Sequence, residues 1–141
     1  MRQGKTVEAV PSADLQASGV KLALVANEAQ AFGDVCTIDS SGEAALAKAD
    51  VIANASTLVM CVDATVSLGA TGTYMLLGVA RQDAWAWTVG GLIYLSITGT
   101  TTNTLTQTAP SATDEVIQVL GIATHADRMI FSPNLTQVEH A

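Results

Sequence analysis

The stretch "DAWAWTVGGLIYLSITGTTTNTLTQTAPS", residues 83 to 111, holds both tryptophans of the chain within three positions, followed by Gly90-Gly91, an apolar run and a threonine-rich tract. Within it no acid, base or cysteine follows Asp83. Leu92 to Ile97 alternates, with Ile93, Leu95 and Ile97 on one side, which is the period-two pattern of a strand. Thr98 to Thr108 has high β propensity and low charge, so it reads as a solvated hairpin or as an edge open to a neighbouring chain through residues such as Thr100 and Thr102. Trp85 and Trp87, two positions apart, fall on the same side of an extended segment. They either cap a core above Tyr94 or anchor a protein contact, since tryptophan is enriched at binding hot spots.

Short β-prone runs set off by Gly, Ser, Asn or Asp recur on both sides of this stretch, at the spacing of a sandwich or barrel. Upstream lie Val20 to Val25, Asp34 to Asp39, Leu58 to Val62 and Tyr74 to Ala80, with "SLGATGT" turning the chain before the last. Downstream, Val116 to Ala123 and Arg128 to Phe131 flank the polar "THAD" and read as a hairpin. The alanine-rich "EAALAKADVIAN", Glu43 to Asn54, leans towards helix by propensity but lacks an apolar stripe, so it predicts a turn or two at most. The expected fold is all-β: a jelly-roll or Greek-key barrel or sandwich of about eight strands, with a core drawn from Val59, Leu76, Leu95, Val119 and Ile122. Residues 1–19, with Pro11, Gly19 and only Val7, Val10 and Leu15 as large apolar groups, read as an extended arm, and residues 20–141 as one domain.

A chain of 141 residues that is 49% hydrophobic can bury a core, yet only 13% of it is charged and its mean hydropathy is +0.36. That balance points to apolar surface covered by another molecule. No apolar run reaches the roughly 18 residues of a membrane span, and acids and a proline interrupt the place of a signal sequence, so synthesis in a cytoplasm is expected. The net charge of −7 repels phosphate, and the six Lys and Arg are scattered, which argues against nucleic acid.

The groups capable of chemistry are few. Cys36 and Cys61 read as buried small hydrophobes, and with His125 and His140 they lack the paired spacing of structural zinc. His125 and Asp127 can pair in a turn, but no serine or cysteine sits in a nucleophile-elbow context. "GATG", residues 69 to 72, precedes a strand and has no lysine, so it is a turn and not a phosphate loop. No catalytic residue, metal site or cofactor is expected, and the chain reads as a non-enzyme.

The run from Ala86 to Asn134 resembles a module of tailed-bacteriophage structural proteins: Gly91, the strand Leu92 to Ser96, Gly99, Leu105-Thr106, Ala109-Pro110-Ser111, then Gln118 to Ala123 and Phe131-Ser132-Pro133-Asn134. "LALVANEAQAFGDVCTIDSSGEAALAKAD", residues 22 to 50, is similar to the front half of such a domain. The resemblance implies a small jelly-roll or barrel and a virion role. A lone domain of this size looks most like a capsid decoration, or cement, protein on the outside of the head. The partners so implied are the phage major capsid protein and further copies of the chain as a homodimer or homotrimer, with neither nucleic acid nor membrane. The candidate interface residues are Val7, Val10, Leu15, Trp85, Trp87, Thr100 and Thr102. The competing expectation is a tail or fibre accessory protein whose tryptophans stack on host carbohydrate.

Overall fold

The computed structural model describes residues 11–56, 58–133 and 138–139, and the chain is built from strands. They are Gln16–Val25 (β1), Gln30–Ala31 (β2), Val35–Ile38 (β3), Ala44–Leu46 (β4), Val59–Cys61 (β5), Thr65–Val66 (β6), Thr71–Arg81 (β7), Leu92–Thr100 (β8), Asn103–Thr106 (β9), Val116–Ile117 (β10), Val119–His125 (β11), Arg128–Phe131 (β12) and Val138–Glu139 (β13). Nine belong to one antiparallel sheet, in the order β4-β3-β5-β7-β12-β11-β8-β9, with β1 added alongside β7. The sheet curls into a nearly closed barrel, so the all-β class expected from strand spacing is the class found. The expected β11–β12 hairpin forms across "THAD", with Gly121 opposite Phe131 and His125 opposite Arg128.

β7 is the strand on which the sheet branches. One edge pairs with β1 along its whole length, from Gln16 opposite Arg81 to Val25 opposite Thr71. Its other edge is shared: Tyr74 and Met75 face β5, and Gly78 to Arg81 face β12. Two wings therefore leave β7, one through β5 to β3 and β4, the other through β12 and β11 to β8 and β9.

The branch gives the sheet two hydrophobic layers. Inside the barrel, Phe32, Val35, Met60, Met75, Ile93, Leu95, Leu120, Met129 and Phe131 form the main core. On the outer face of the first wing, Cys36, Val59, Cys61 and Tyr74 form a second core with Ala26, Ala44 and Val66. β5 shows the division: Met60 points inwards, its neighbours Val59 and Cys61 outwards, and all three are buried. Burial on both faces explains why this segment reads as a continuous apolar run. Each large side chain so buried contributes about 1.5–3 kcal/mol.

Of the five residues expected in the core, Val59 and Leu95 are buried, while Leu76 and Ile122 are exposed and Val119 is half-buried. The reason is a bulge. The β1–β7 register steps from Val20 opposite Leu77 to Lys21 opposite Met75, which leaves Leu76 as the extra residue. A bulge puts two successive side chains on one face, here Leu76 and Leu77, both turned away from the barrel. On β11 a shift between Val119 and Gly121 likewise turns Leu120 inwards and leaves Ile122 outside.

One local expectation is corrected and another, of a turn or two at most in the alanine-rich segment, is met by a single turn beside a short strand. β1 begins at Gln16, so Gln16 to Gly19, read as part of an arm, pair with Arg81 to Gly78. The alanine-rich segment forms β4 and a 3₁₀ turn at Ile52–Asn54. Its alanines serve close packing: Ala44, Ala47 and Ala49 are fully buried, and Ala47 N–H donates to Val35 O and Ala49 N–H to Ser96 O. Tertiary pairing has overridden helix propensity here.

Candidate functional site

The outward face of the second wing has no protein layer over it among the described residues. Val79 on β7 lies opposite Ile130 on β12, Ile130 opposite Ile122 on β11, and Ile122 opposite Leu92 on β8. Directly opposed residues share a face, so these four side chains form one apolar row across four strands. The next row, Ala80, Met129 and Ala123, is fully buried and points into the barrel, which fixes the first row as external. Leu92, Ile122 and Ile130 are each 42–43% exposed. Leu76, Leu77 and Val20 extend the row towards β1. The exposed apolar side chains thus form one stripe crossing five strands, a pattern of the kind that contact sites present.

A charged row borders it. Arg81 and Arg128 face each other across β7 and β12, two positions from Val79 and Ile130. Asp127 lies 3.5 Å from Arg81 Nε, 3.3 Å from Arg128 Nε and 2.7 Å from His125 Nδ1, and Arg81 Nε donates to Asp83 at 2.8 Å. Partial burial would raise the Asp127 carboxyl, but the hydrogen bond from His125 and the charges of His125, Arg128 and Arg81 hold it below its ordinary value. His125 and Asp127, which the sequence allows to pair in a turn, do pair, tied into an ion network with Arg81 and Arg128. An apolar centre with a charged rim is the usual anatomy of a protein interface.

The sequence-level candidates gather at the end of the barrel next to this rim. Trp85 and Trp87 pack on each other with ring centroids 5.4 Å apart, and Trp85 packs on Phe32 at 6.3 Å. Both are half-buried against the main core. With Phe32, Gly33, Asp34, Gln82, Thr102, Thr104 and Leu105 they line a pocket of about 70 Å³. Leu15 is exposed and follows Asp14, whose Oδ1 accepts the Asp83 N–H at 2.8 Å. Thr100 is exposed, opposite Asn103 in the β8–β9 turn. Thr102 adopts a positive φ of 64° and donates its N–H to Asp34. Val7 and Val10 lie outside the described residues. Trp85→Ala is expected to cost about 2–3 kcal/mol, read as a lower urea midpoint, since its ring supports the core from a half-buried position.

Asp34, which sequence reading passed over as the first residue of a strand, closes the barrel. Its carboxylate accepts from Ala31 N–H at 2.8 Å, Thr101 Oγ1 at 2.7 Å and Thr102 N–H at 2.7 Å. Next to it the Val35 N–H donates to Thr104 Oγ1 at 2.8 Å. These bonds tie the β8–β9 turn to the start of β3, joining the two ends of the sheet.

The thiols lie in the outer core. Burial pushes Cys61 up to about 11 and raises Cys36 as well, so both favour the protonated thiol at neutral pH. Tyr74 Oη donates to Gln30 Oε1 beneath the same layer. Among the described residues no three His, Cys, Asp or Glu side chains converge as metal ligands. Among the described residues no helix is long and apolar enough to cross a membrane. Comparison with known protein families, with curated proteins and with solved structures found no match for this chain.

Proposed function

We propose that the chain is a non-enzymatic virion structural protein, a decoration or cement subunit that docks on the major capsid protein of a tailed phage and stabilises the head. The observation that carries the reading is the apolar stripe from Val20 through Val79, Ile130 and Ile122 to Leu92, rimmed by Arg81 and Arg128. The resemblance of residues 86 to 134 to phage structural modules supplies the setting. A subunit present in many copies needs only a modest contact each time, because simultaneous engagement of neighbouring sites multiplies the effect. Binding to the assembled shell alone stabilises it by mass action. A carbohydrate platform fits less well: Trp85 and Trp87 are spent on the core, on Phe32 and on each other.

The test is binding to shells of the encoding phage that lack this protein. Saturable, stoichiometric retention and a raised shell melting temperature are expected. The double variant Ile122→Glu/Ile130→Glu should keep the melting temperature of the free domain within a few degrees, since both side chains are outside the core. It should lose shell binding by about 100-fold or more, as two buried unpaired carboxylates would in an apolar contact. Absence of wild-type binding, or undiminished binding by the folded variant, would overturn the reading.

A further inference from the structure

We infer that two copies of this chain join through the outer edge of β1, pairing antiparallel about a two-fold axis. The other margins of the main sheet are short or partly covered. β4 has its outer side covered by main chain and side chains: Asn27 N–H and Gln30 Nε2 both donate to Ala44 O, and Glu28 accepts the Leu46 N–H. β9 is held at its turn and at Thr104 by Asp34 and Val35. β1 differs. It is ten residues long, its only strand partner is β7, and among the described residues its main chain makes no bond to any other strand. A strand edge of that length presents a row of unpaired N–H and C=O groups, and the partner it fits is another strand.

Two features select a second copy as that strand. An antiparallel edge is complementary to itself under a two-fold axis, and such isologous pairing closes after two copies. Its side chains suit self-pairing: QASGVKLALV has no proline and one charge, Lys21, whose Nζ folds back on Ala17 O at 2.8 Å. Parity and charge then limit the register. Facing residues share a side of the sheet, so Val20, 58% exposed on the outward face, meets an even-numbered residue of the second copy, and the register nearest the strand's centre that keeps the two Lys21 from facing each other puts it opposite Val20. That register brings the ends of the two apolar stripes together, and the dimer carries one continuous outward stripe of twice the length. This assembly goes beyond capsid docking and does not depend on it.

Sedimentation equilibrium on the full-length protein, combined with amide hydrogen exchange at low and high concentration, tests the inference without any phage particle. The expected results are a monomer–dimer equilibrium and concentration-dependent protection centred on Gln16 to Val25. Val20→Glu sets like charges against each other at or near the axis on an exposed position. It should weaken the dimer about tenfold or more while leaving the circular dichroism spectrum unchanged. Lys21→Ala, which removes the side chain lying along the edge, should keep the dimer. A wild-type monomer at the highest soluble concentration, a trimer, protection mapping elsewhere, or a Val20→Glu dimer of undiminished affinity would each overturn it. Shell binding is measured separately, so a protein that dimerises but ignores shells sinks the capsid reading alone.

Discussion

Gly121→Ala is expected to cost about 3 kcal/mol or more and to lower the melting temperature by roughly 10 °C. Gly121 stands on β11 between Phe131 of β12 and Ile93 of β8, in a row that points into the barrel. A Cβ built there would lie 1.7 Å from the carbonyl oxygen of Ile130, a main-chain atom that the β12 pairing holds in place. Relief would require separating β11 from β12, with loss of ladder bonds in the middle of the second wing. Against a total stability of about 5–15 kcal/mol, that loss raises the unfolded fraction about a hundredfold or more. The check is thermal and urea denaturation of the variant. A midpoint within error of wild type would show that the hairpin yields without cost.

Asp34→Ala should be comparably severe, costing about 3–5 kcal/mol, because it leaves the Ala31 and Thr102 N–H groups and the Thr101 hydroxyl without their acceptor at the barrel seam. Its pH dependence separates it from an ordinary packing loss. Burial raises the Asp34 carboxyl above its ordinary 3.8, against the opposing effect of the hydrogen bonds from Thr101, Ala31 and Thr102. The folded state therefore holds this proton more tightly than the unfolded chain. Its contribution to stability is greatest at low pH and declines as pH rises from 3.8 through the folded value. Asp39 and Asp127 act in the opposite sense. Both are held below 3.8, Asp39 chiefly by the Glu43 main chain and the Asn27 side chain, and their stabilisation is lost as pH falls through the folded values. Wild-type Asp34 thus offsets part of the acid loss. In urea midpoints measured from acid to neutral pH, the Asp34→Ala variant should fall more steeply on the acid side, and a parallel pH profile would rule this account out.

The barrel class was legible because strand signals are local. Leu92 to Ile97 alternates, Arg128 to Phe131 sits past a polar turn, and both form strands close to their expected bounds. What escaped depends on partners distant in sequence. Leu76 and Ile122 carry the right chemistry for a core, but bulges set by the strands beside them turn both outwards, and no local pattern announces a bulge without its partner. The alanines at 44, 47 and 49 showed only a helical lean and no strand signal, since propensity is blind to a neighbouring main chain. Trp85 and Trp87 were visible as aromatic anchors, while Asp34 was not: its partners at Thr101 and Thr102 are nearly seventy residues away. The external stripe is the least legible feature of all. Val79, Ile130, Ile122 and Leu92 become one surface only when four strands are laid side by side.

The branching of the sheet at β7 also has a consequence in time. β1 leaves the ribosome first, yet the strand that completes its ladder follows only after β2 to β6 have been made, and β12, which fills the other edge of β7, comes last of the three. Neither wing can be finished before the strand between them exists. Chains governed by such distant pairings fold on a scale of milliseconds to seconds. During that interval a nascent chain carries an apolar strand with both edges open, and chains crowded on one message would find each other's β1 before their own β7. High-level synthesis should therefore be limited by the rate at which β7 arrives, and slowing translation before residue 71 should raise the insoluble fraction more than slowing it after residue 131.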